Sequence, residues 1–180
     1  MKKLIIGLIV VGLIGLLGVR SEAATDPARI DLYVTPIVVT SLTVDTTYYN
    51  FGSVAVRTST GSTSALTLTN NGSVSITVEK QVFADGDNWD ITTSSSVENG
   101  FRLWAMVAAT QPDHDAFSTG VSSFSKASLG FVNDLTDTAG SQVTMSRDET
   151  ESLWFRLDMP YSVSTVAEQK IQVRLRATSN

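Results

Sequence analysis

Between residues 66 and 78 the apolar positions fall on every second residue. Leu66 and Leu68 alternate with Thr67 and Thr69, and Val74, Ile76 and Val78 alternate with Ser75, Thr77 and Glu79. Such a period of two puts one face of a strand against a core and leaves the other to solvent. A disordered Ser/Thr tract would lack that apolar face. Asn70-Asn71-Gly72 lies between the two runs. Asn-Gly readily supplies positive φ, so the phrase predicts a tight hairpin. The alternation recurs. Phe101, Leu103, Ala105 and Val107 oppose Arg102, Trp104 and Met106; Leu153, Phe155, Leu157 and Met159 oppose Trp154, Arg156 and Asp158. Ile171, Val173, Leu175 and Ala177 oppose Gln172, Arg174 and Arg176. Residues 90–93 and 142–145 are shorter candidates. No helical period competes, so the chain reads as an all-β antiparallel sandwich of about 7–9 strands.

Two regions depart from this pattern. Ile30, Leu32, Val34, Val38, Leu42 and Val44 keep one parity across fifteen residues, interrupted at Pro36 and Thr40. Fully extended, that stretch approaches about 50 Å, longer than an ordinary strand. Pro36 belongs at an edge or a bend, because it cannot donate to a ladder. Either the strand crosses between sheets there, or its first half, with Ile30, Leu32 and Val34, reaches outside its own domain. Residues 110–140 form a polar excursion carrying Phe117, Phe124, Leu129 and Phe131. It is expected to fold over one sheet face and cover Trp104, with a short helical turn after Pro112.

The first 23 residues change the picture of where the chain works. Lys2 and Lys3 precede an unbroken apolar run over residues 4–19, and Ser21-Glu22-Ala23 offers small residues at a cleavage site. This is the three-part pattern of a secretory signal helix, cut after Ala23. An uncleaved anchor is the alternative, although the run is short against the about 20 residues a bilayer needs. The organisation expected is a signal at 1–23 and one domain at 24–180, opening with an extended strand at 24–44. A domain of that size holds a core without staples. The 180-residue sequence contains no cysteine, so packing alone must carry its stability.

Charge mainly excludes. The sequence has 13 Lys and Arg against 18 Asp and Glu, for a net charge of −5. The acids are scattered, and no basic cluster suits nucleic acid or an anionic membrane surface. A soluble secreted location, extracellular, cell-surface or periplasmic, fits that balance.

The span from Tyr49 to Lys80 carries Phe51-Gly52-Ser53-Val54, then a linker, then Leu66-Thr67-Leu68-Thr69-Asn70-Asn71-Gly72-Ser73. It resembles the opening of the Ig-like ASPM/SPD-2/hydin domains, relatives of the PapD pilus-chaperone fold, as found in exported bacterial proteins. The resemblance covers about a fifth of the chain and implies a packing scheme, an Ig-like sandwich closed by a terminal hairpin over residues 153–179. The strand, Asn-Asn-Gly, strand phrase is also similar to TasA/camelysin biofilm-fibre proteins, whose Pro-Gly-Asp segment before that hairpin is missing here.

Candidate chemistry is sparse, and the expectation is a protein that is not an enzyme and needs no cofactor. The single histidine, His114, stands between Asp113 and Asp115 in the polar excursion, where a solvated loop residue is the ordinary reading. Without Cys, one His cannot make a structural zinc site. Asp85, Asp87 and Asp90 cluster around Gly86 and Trp89 and could offer oxygens to calcium. They lack the EF-hand order, and a hydrated turn is favoured. Glu149 and Glu151 beside Asp148 suggest paired carboxylates, yet nothing in the sequence around them would raise a carboxyl pKa. Trp104, Trp154, Arg156 and Arg174 could share an outward face, either as a platform for glycans or protein, or as a surface covered by the excursion with Arg paired to Asp158.

These readings lead to a secreted, non-enzymatic structural or adhesive surface protein. Its partners would be itself or other surface proteins. Its sharpest form is strand addition, in which Ile30, Leu32 and Val34 join a neighbour's open sheet edge. The alternative is a carbohydrate- or protein-binding module that uses the Trp/Arg face.

Overall fold

The computed structural model describes residues 34–84, 86–92, 97–118 and 133–180. The chain divides into two compact units, Met1–Pro36 and Ile37–Asn180. The signal region, Ile30, Leu32 and Asp85 lie outside the described residues, as do Phe124, Leu129 and Phe131. Of the first unit, residues 34–36 are described; they carry no regular structure and are exposed.

The second unit is built of strands. In chain order they are β1 (Leu42–Val44), β2 (Ser59–Gly61), β3 (Leu66–Asn70), β4 (Ile76–Ala84), β5 (Asp90–Ile91) and β6 (Gly100–Val107). A 3₁₀ turn, η1 (His114–Ser118), follows, then β7 (Asn133–Asp134), β8 (Thr136–Asp137), β9 (Thr144–Met145), β10 (Thr150–Asp158) and β11 (Gln172–Ser179). They form two sheets. The first runs β1-β3-β10-β6-β5, with β2 also on β10 and β8 also on β6; the second runs β11-β4-β7, with β9 also on β4.

The architecture rests on three long strands with short ones in tandem along their flanks. β3 pairs the first half of β10 (Thr150↔Thr69 to Leu153↔Leu66), and β2 pairs the second half (Arg156↔Gly61 to Asp158↔Ser59). Likewise β5 and β8 share one side of β6, while β7 and β9 share one side of β4.

The core lies between the sheets, at the positions the alternation marks. Leu66, Leu68, Ile76, Val78, Phe101, Leu103, Ala105, Leu153, Phe155 and Leu157 are buried together in one cluster. Each of the Leu, Ile, Val and Phe side chains among them contributes about 1.5–3 kcal/mol when fully removed from water. This burial stands in for the absent disulfides.

Four expectations are corrected. First, β3 and β4 are not a hairpin, because they belong to opposite sheets. Asn70-Asn71-Gly72 instead carries the chain across the core edge. The fully buried Asn70 side chain holds the crossing. Its Nδ2 donates to the carbonyls of Val74 (2.9 Å), Met145 (3.0 Å) and Ser146 (3.0 Å), and its Oδ1 accepts from Gly72 N at 2.9 Å. Gly72 is not at positive φ. It is small because the chain before β1 passes over it: a Cβ there would lie 2.5 Å from the Val39 carbonyl oxygen. Second, residues 153–179 make no terminal hairpin, since β10 and β11 lie in different sheets. Third, the sheets are not wholly antiparallel. β5 and β8 both run parallel to β6. Fourth, the described residues hold eleven strands. The excess over the pattern comes from two-residue strands, too short to show a period.

Candidate functional site

The outward face of β6 and β10 carries most of the residues that the sequence marked. Trp104 and Trp154 are each only 8 % exposed. They pack with Met106 and with Phe117 of η1, and partly buried Ala65, Ala108 and Ala116 close the cluster. The excursion therefore covers Trp104, as its position in the sequence predicts. The Trp154 indole N–H donates to the Ala108 carbonyl at 2.9 Å. The flat ring faces that a sugar would stack on are occupied by the protein's own side chains.

The charges on this face pair with one another, while Arg102 Nε is buried without a hydrogen-bond partner among the described residues. Register places Asp158 opposite Arg102 and Arg156 opposite Trp104. Buried Asp158 accepts from Arg156 Nε at 2.9 Å and from Arg102 at 2.5 Å. Arg156 also donates to the His114 carbonyl at 3.0 Å, which ties η1 to the sheet. Both guanidinium carbons lie 4.7 Å from the Trp104 ring centroid, so one indole is flanked by two cations. A buried carboxylate shared between two arginines is well compensated, and removing any member would strand the others. Arg102 is the most accessible of the group, with its side chain 31 % exposed. Arg174 does not join this face. It lies on β11 in the other sheet, with its guanidinium 3.3 Å from the Phe83 ring centroid.

The remaining candidates are dispersed. His114 is half exposed, and its Nδ1 lies 3.3 Å from the carboxylate of the solvated Asp115. Asp87 and Asp90 are exposed, and among the described residues no three His, Cys, Asp or Glu side chains gather as a metal site. Glu149 accepts from the Ser146 backbone N–H and so caps its own turn. Glu151 corrects the expectation about its surroundings: its carboxyl pKa is raised, first by burial and then by the charges of Glu149 and Asp137.

One residue escaped the sequence reading. Lys80 continues the inward series Ile76, Val78, Lys80, Val82 and is fully buried. Its ammonium donates to the Asp134 carbonyl on β7. Burial depresses its pKa from 10.5 to about 8, against the opposing pull of the Asp134 carboxylate. The parity of β4 was the available signal.

The second sheet and the N-terminal approach to the first offer a different kind of site. Val34 and Ile37 are 85 % exposed, and Val38 and Val39 about half exposed. From Val39 onward the chain is fastened. Val39 N donates to Ser73 Oγ (2.9 Å), Ser73 N to the Val39 carbonyl (2.8 Å) and Asn71 N to the Ser41 carbonyl (3.0 Å). β1 then pairs with β3. β11 forms the outer edge of its sheet, and among the described residues it pairs with β4 alone. Set beside models of known families and beside curated proteins, the sequence matches none of them.

Proposed function

We propose that the chain is exported through its first 23 residues and serves, without catalysis, as a structural or adhesive component at the cell surface that assembles with its own copies by strand addition. The observation that carries this reading is the exposed aliphatic run Val34, Ile37, Val38 and Val39, which leads directly into an edge strand. Large apolar side chains in sequence are costly in water and gain most when covered. An extended segment meets an open sheet edge through backbone hydrogen bonds, and its alternate side chains choose the register. Ile30 and Leu32 extend the same parity upstream. The Ig-like resemblance of residues 49–80 supports a domain whose sheets have edges to share.

The test compares two forms of the chain, one beginning at residue 24 and one at residue 37, by sedimentation velocity and negative-stain electron microscopy. The longer form is expected to associate with rising concentration, and the shorter to stay monomeric. Two monomeric forms at every concentration would remove the proposal.

A further inference from the structure

Resting on that strand-addition reading, the geometry points to β11 as the edge that receives the N-terminal segment of a second copy. Among the described edges β11 is by far the longest, spanning Gln172–Ser179; β1 has three residues, and β5, β7, β8 and β9 have two each. A donor of five to eight residues needs a ladder of matching length, and only β11 supplies one.

The faces match as well. Val173, Leu175 and Ala177 share the side turned toward the core, yet Val173 is 37 % exposed and Leu175 and Ala177 are only partly buried. A strand laid alongside, with Ile30, Leu32 and Val34 on that side, would extend the half-finished apolar layer. The same parity sends Asp31 to the opposite side, where β11 displays Arg174 and Arg176. Both arginines are exposed. Arg174 rests on the Phe83 ring, and Arg176 pairs with Glu79 at 2.6 Å. Asp31 shares that side with Arg29 and Tyr33, so charge favours the register that sets Asp31 beside Arg174 and Arg176 and carries Arg29 past them.

The same arginines discourage the obvious rival. Two β11 strands paired antiparallel across a twofold axis would bring Arg174 and Arg176 of one copy against those of the other. The edge disfavours its own copy and is met by a strand that can set Asp31 against it. Joining the N-terminal segment of one copy to the β11 edge of the next is a heterologous contact, which propagates as an open chain of subunits wherever the rotation between copies does not close it.

The absence of cysteine allows a direct test. Copies beginning at residue 24 and carrying D31C are mixed with copies carrying R174C, R176C or, on the competing β1 edge, T43C, and gently oxidised. The expected result is a disulfide-linked dimer of D31C with a β11 cysteine and none with T43C. In parallel, R174E/R176E weakens association at low ionic strength by about tenfold or more, and pairing it with D31K copies restores it. Linkage of D31C to T43C alone overturns β11 while leaving strand addition in place. Assembly that requires residues 24–36 but yields no β11 linkage does the same. A D31C/R174C chain that links within itself at high dilution overturns the second copy as the source. Association indifferent to removal of residues 24–36 removes this inference together with the reading beneath it.

Discussion

Asn70 and Lys80 both occupy inward positions that the alternation reserves for apolar side chains, and both are fully buried. Their polar atoms are accommodated in different ways. Asn70 is a neutral clasp that satisfies three carbonyls from two segments of the chain. Asn70→Leu keeps the volume but strands those carbonyls, each worth about 1–3 kcal/mol when buried without a partner. Urea denaturation should show a loss of at least about 3 kcal/mol, well beyond a typical surface change. Lys80 is a charge held at a cost. Its pKa is depressed in the folded state, so between about pH 8 and 10.5 the unfolded chain binds more protons than the folded one. Stability attributable to Lys80 therefore rises with pH across that window and levels off above it, by about 3 kcal/mol at most. Lys80→Met should abolish the rise. The quantity to measure is the difference between the two denaturation midpoints as pH increases; a constant difference would refute the assignment. The parity of β3 and β4 was the available signal for both, yet neither was legible as buried, because an Asn or a Lys looks like an ordinary turn or surface residue until the carbonyls it meets in the fold are known.

At the scale of elements, the period of two located the long strands and their buried faces well, because burial itself imposes that period. Phe101, Leu103, Ala105 and Val107, and Leu153, Phe155, Leu157 and Met159, face inward as the sequence indicates. Pairing was not legible. Asn70-Asn71-Gly72 serves a crossing between sheets as readily as a hairpin, and the reason for Gly72 is a backbone passing overhead from residues 39–41. β5, β7, β8 and β9, two residues each, are made by their neighbours more than by their own sequence. Of the candidate site, cover of Trp104 was foreseeable from the aromatic spacing of the excursion, and the separation of Arg174 from that face was not. Cover by Phe117 has a measurable consequence. Phe117→Ala vacates the ring that seals Trp104 and Trp154, so their fluorescence should shift to the red and become accessible to acrylamide, at a cost of about 3–5 kcal/mol. Unchanged quenching would mean that η1 does not seal the face.

For the whole molecule, a sequence without cysteine leaves stability to packing. Among the described residues the domain shows solvent an open edge at β11 and an exposed aliphatic stretch before β1. If these meet between copies, assembly supplies the remaining burial of both, and stability becomes dependent on protein concentration. The truncation at residue 37 should then lower the melting temperature of concentrated samples while leaving dilute ones unchanged, which differential scanning calorimetry over a dilution series would read.

The tandem flanks give the fold a particular tolerance. β4, β6 and β10 each keep one full-length neighbour and one side tiled by two short segments. When a tile lifts, only two to four residue pairs are lost, and the rest of the long strand stays zipped. Damage or breathing at the periphery is thereby confined, and the loops joining those tiles are free to diverge in length without rewriting the spine.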